Sequence, residues 1–63
     1  MSDDLSKALE LHKKGKLNEA EEIYLNLLKT NTDRSTALQL LGTLYLQKKN
    51  FSLSEEYFLN LII

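Results

Sequence analysis

Glu21-Glu22-Ile23-Tyr24-Leu25-Asn26-Leu27 returns 34 residues later as Glu55-Glu56-Tyr57-Phe58-Leu59-Asn60-Leu61, with five of the seven pairs identical. Tyr24/Phe58 is a conservative exchange, and Lys14/Lys48 is identical at the same offset. Leu17/Phe51, Asn18/Ser52 and Ala20/Ser54 keep similar roles. Ala20, Ile23, Tyr24, Leu27 and Leu28 recur at spacings of three and four, as do Tyr57, Phe58, Leu61 and Ile62. That spacing lays an apolar stripe along one side of an α-helix. A helical unit repeated at this period cannot bury its stripe alone and must stack on a neighbour.

Working outward from this pair, the chain divides into four helices. The first is expected to start near Ser2, whose hydroxyl can cap free backbone N–H groups, with Asp3 and Asp4 at the positive end of the dipole. Its stripe is Leu5, Ala8, Leu9 and Leu11, and it stops at His12-Lys13-Lys14-Gly15-Lys16. Gly15 can take the left-handed conformation that ends a helix. Asn18 is the expected cap of the second helix, and Asp33 that of the third. The third carries Ala37, Leu38, Leu41, Gly42, Leu44 and Tyr45, and ends at Gln47-Lys48-Lys49-Asn50. The fourth is expected after Phe51, where Ser52 and Glu55 have capping-box spacing. Short connections make neighbouring helices antiparallel. The predicted fold is therefore all-α: four antiparallel helices in two hairpins, over 1–34 and 35–63, the second cut short.

The residues resemble the tetratricopeptide repeat family. Its signature is W-x2-L-G-x2-Y, then A-x3-F, then P. The second repeat reads Leu38-x2-Leu41-Gly42-x2-Tyr45, then Ser54-x3-Phe58. The first has a weaker head, Ala8-x2-Leu11, and a good tail in Gly15, Ala20-x3-Tyr24 and Leu27. Leu38 and Asp4 stand in the Trp slots, and Thr32 where Pro is usual. The spacing has a packing reason. Ala8, Gly42, Ala20 and Ser54 are small where helices cross, and Tyr24, Tyr45 and Phe58 are large enough to fill the gaps. The resemblance implies a right-handed helical-hairpin solenoid that binds protein partners, with no catalytic role of its own.

Composition narrows the function classes. The chain has 63 residues, is 43% hydrophobic and 27% charged, and has no Pro. That is a globular, helix-favouring balance. The net charge of −1 gives no field for nucleic acid, whose binding rests on phosphate neutralisation. There is no Cys and one His, so neither a disulfide nor a Cys/His metal site is expected. The acidic start is unlike a secretory signal, and no run is long enough to span a membrane. The expected location is cytoplasmic, with no membrane or nucleic-acid partner and no cofactor.

No constellation for catalysis stands out. Glu19, Glu21, Glu22, Glu55 and Glu56 read as first-turn dipole complements and solvated surface. His12 reads as a lone histidine at a helix end. Lys14-Gly15-Lys16 lacks the spacing and hydroxyl of a phosphate loop. Lys13, Lys14, Lys16, Lys48 and Lys49 fall on one edge of the stack, where solubility and dipole pairing explain them better than an acidic partner or nucleic acid does. Tyr24, Tyr45 and Phe58 read as core.

By the family resemblance, the first helix of each hairpin lines a concave groove. Here it would present Leu5, Leu9, His12, Thr36, Gln39, Thr43 and Leu46, flanked by Ser2, Lys13 and Gln47. Some members of the family clamp a peptide carboxylate with Lys and Asn at these positions; Leu5, Leu9 and Thr43 make that mode unexpected. The Asn ladder of glycosyltransferase relatives is also absent, with Ser6 and Leu40 in its slots. The end of the fourth helix is a second candidate surface. Leu59, Ile62 and Ile63 are expected to face outward over an apolar patch, giving self-association into a homo-oligomer. The run from Ala8 to Glu21 also resembles repeats that precede the catalytic domain of bacterial glycosyltransferases and sulfotransferases. On that alternative the chain would recruit substrate or partner for chemistry located beyond Ile63.

Overall fold

The computed structural model describes residues 3–62. Its helices are α1 (Asp3–Lys13), α2 (Leu17–Lys29), α3 (Arg34–Gln47) and α4 (Phe51–Ile62), with no strand among the described residues. Each helix packs on the next: α1 on α2, α2 on α3, α3 on α4. The all-α hairpin architecture is as expected. The Ser2 cap and Ile63 lie outside the described residues, as does the side chain of Ile62.

The three turns share one hydrogen-bond pattern. Gly15 N–H donates to the His12 carbonyl at 3.1 Å and Lys16 N–H to the Leu11 carbonyl at 2.9 Å. Asn31 and Thr32 repeat this on Leu28 and Leu27, and Lys49 and Asn50 on Leu46 and Tyr45. This pair of hydrogen bonds satisfies carbonyls left open at a helix end and requires a left-handed residue. Gly15 has φ 81°, Asn31 φ 57° and Lys49 φ 62°. Lys49 is the costly one, because its Cβ crowds the following carbonyl where Gly and Asn are tolerated.

The helix starts differ from expectation at two places. The turn at Gly15 hands the chain over at Lys16, so α2 begins at Leu17 and Asn18 lies inside it. Lys16 holds the cap position without a side-chain bond. The Ser52/Glu55 capping box does not form either. The cap of α4 is Asn50, whose Oδ1 accepts the Leu53 N–H at 3.4 Å, so Ser52 is already helical. Asp33 takes the cap position of α3, but in the left-handed conformation at φ 47° and without a side-chain cap hydrogen bond.

The core holds Leu5, Ala8, Ala20, Tyr24, Leu27, Ala37, Leu41, Leu44 and Tyr45. The small residues do what their spacing predicts. A Cβ on Gly42 would stand 2.6 Å from the Phe58 ring, so only glycine lets α4 lie this close to α3. Ser54 is buried in the same crossing and donates its hydroxyl to the Gly42 carbonyl at 2.9 Å. That bond lets a polar residue occupy the Ala20 slot without leaving a buried hydroxyl unmet.

Replacing Lys49 by Gly should relieve the left-handed strain while keeping the turn. We expect Lys49→Gly to raise stability by about 0.5–1 kcal/mol, read as a higher urea midpoint. An unchanged or lower midpoint would show that the turn holds no strain at this residue.

Candidate functional site

The α1/α3 side is held together by His12. Its Nδ1 lies 3.0 Å from the Tyr24 hydroxyl, and its Nε2 lies 2.6 Å from Gln47 Oε1. Gln47 Oε1 can only accept, so Nε2 carries the proton; in the neutral ring Nδ1 then accepts from Tyr24. The His12 and Tyr24 rings meet edge-on at 5.8 Å. Burial raises the Tyr24 pKa above its ordinary value, which keeps the hydroxyl a donor. One imidazole thus bridges α1, α2 and α3. Both nitrogens are engaged, so His12 is a positioning residue here.

The expected groove is only partly present. Leu5 is 1% exposed and belongs to the core, because its place on the stripe faces α2 and not solvent. Leu9 is half-buried against the same core. Thr36, Gln39, Thr43 and Leu46 are exposed along α3, where the Thr43 hydroxyl donates back to the Gln39 carbonyl at 3.1 Å. The surface is therefore mainly one polar helix face with Leu46 at its end.

The α2/α3 joint centres on Glu21. Tyr45 donates its hydroxyl to Glu21 Oε2 at 2.6 Å, and Lys48 Nζ donates to Glu21 Oε1 at 2.7 Å. Lys48 also donates to Asn18 Oδ1 at 2.6 Å. Glu21 is not the solvated first-turn charge expected from its position; it is a half-buried acceptor joining the two hairpins. Desolvation alone would raise its pKa. The Lys48 and Tyr45 hydrogen bonds and the Lys48 charge outweigh that and lower it. Tyr45 is pushed up, first by burial and then by the Glu21 bond and charge. Its ring packs 5.3 Å from that of Tyr57, so Tyr45 touches both α2 and α4.

The lysine edge is thinner than its five residues suggest. Lys48 is committed to Glu21 and Asn18, and Lys14 pairs with Glu10 one turn back at 3.3 Å. Lys13, Lys16 and Lys49 are exposed.

The second surface is the outer side of α4. The repeat register lets α2, which is covered by α3, serve as the reference for α4. Leu27 is 3% exposed and its counterpart Leu61 is 37%. Leu17 is half-buried and Phe51 is 64% exposed. Tyr24 is buried and Phe58 half-buried; Glu21 is half-buried and Glu55 exposed. Leu59, at 46%, differs little from Leu25 at 38%, so Leu59 lies beside the uncovered strip and not within it. The strip is marked by Phe51, Phe58 and Leu61, with Glu55 on its edge.

Paired hairpins with one shared turn pattern and a polar inter-hairpin joint define a helical-hairpin repeat protein. Residues 35–62 match the model of the tetratricopeptide repeat family, and the four helices fit two such units. Units of this family generally bind protein partners and are generally non-catalytic. No curated protein and no solved structure matches the chain. Among the described residues, no helix is long and apolar enough to cross a membrane.

Two signals for these joints were present in the sequence. His12 and Tyr24 become Leu46 and Phe58 at the 34-residue offset, so both members of a polar pair turn apolar together. Glu21 and Lys48 belong to a Glu and a Lys that each recur in both repeats.

The His12–Tyr24 pair predicts a non-additive cycle. His12→Leu alone strands the buried Tyr24 hydroxyl and should cost about 1–3 kcal/mol, whereas replacing both partners by apolar residues should be nearly neutral. His12→Leu with Tyr24→Phe copies the second repeat and should return to within about 1 kcal/mol of the parent in urea denaturation. Additive losses would show that the pair is not coupled. Glu21 predicts a pH effect. Its folded pKa is depressed, so it contributes stability above the unfolded value near 4.5 that is lost as pH falls through the folded value. Melting temperature should drop across that acid window, and Glu21→Gln should flatten the drop while lowering the plateau at neutral pH.

Proposed function

We propose that this chain is a protein-interaction module whose contact surface is the open strip of α4. The observation that supports it most directly is the exposure contrast between Leu61 and Leu27, which hold the same register position. An apolar strip rimmed by polar residues favours a protein contact. The α1/α3 groove is the weaker candidate, since Leu5 is buried and the exposed positions of α3 are mostly polar. The repeats are taken as 1–34 and 35–63. The module has no catalytic role and acts in the cytoplasm, with which the lack of Cys accords. Self-association through Leu59, Ile62 and Ile63 would use the same end of the molecule. The recruiting arm of a glycosyltransferase or sulfotransferase is a second reading, resting on the run from Ala8 to Glu21.

Photo-cross-linking residues placed singly at Phe51, Leu61, Thr43 and Lys7 test the face. In extract of the source cells, Phe51 and Leu61 should give protein adducts, and Thr43 and Lys7 should give few. Adducts concentrated at Thr43 would move the site to the groove and end this reading.

A further inference from the structure

We draw no further inference here: the strongest candidate, the strip of Phe51, Phe58 and Leu61 on the outer side of α4 with the exposed Glu55 on its edge, belongs to the surface already described, and nothing in the structure shows what covers it.

Discussion

The joint between α2 and α3 is the contact on which the molecule depends. A chain of this size buries too little surface for one hairpin to stand alone, and each hairpin has a second apolar side that its own helices cannot cover. Packing α3 on α2 covers that side once. The joint is apolar at its centre, where Leu27, Leu41 and Leu44 are buried, and is tied at its edge by Glu21. The edge bonds differ in kind. Tyr45 is almost wholly buried, so its bond to Glu21 meets a hydroxyl that is largely withdrawn from water. Lys48 is partly solvated, so its worth lies in register more than in energy.

The two repeats reach one geometry by different chemistry. The first uses a His12–Tyr24 pair where the second register offers Leu46 and Phe58. The second uses Ser54 bonded to the Gly42 carbonyl where the first packs Ala20 near Ala8. In each case a polar group enters the interior only with its partner beside it. The helix spacing itself is set by volume: Gly42 faces the Phe58 ring, so a large side chain of one helix lies against the smallest of the other.

This arrangement also explains why the two ends of the stack differ. The outward side of α1 carries Lys7 and Glu10 at positions that are Leu41 and Leu44 in α3, so it meets water without loss. The α4 side keeps apolar residues at the positions that α2 buries. In a repeat stack such a strip is the surface on which a further helix packs. The functional reading follows from that asymmetry between ends, and the groove along α1 and α3 contributes less to it.

Sequence alone was enough for the repeat, the four helices and the small-and-large pattern, because these depend on spacing along one chain. Period and composition are local properties, and the Gly15 turn is written in a single residue. For the outer side of the fourth helix it pointed to Leu59, Ile62 and Ile63, whereas the positions left uncovered relative to α2 are Phe51, Phe58 and Leu61. What it left open were choices made between helices. Leu5 sat on a plausible groove stripe, but only the packing of α1 on α2 decides that it is core. Asn18 and Ser52 looked like caps until the turns delivered each helix two residues earlier. Glu21 looked like a solvated first-turn charge until the joint placed Tyr45 and Lys48, 24 and 27 residues away, on its two oxygens. Hydrogen bonds of that kind depend on where distant side chains arrive in space. That is a property of the assembled stack and cannot be read from spacing along the chain.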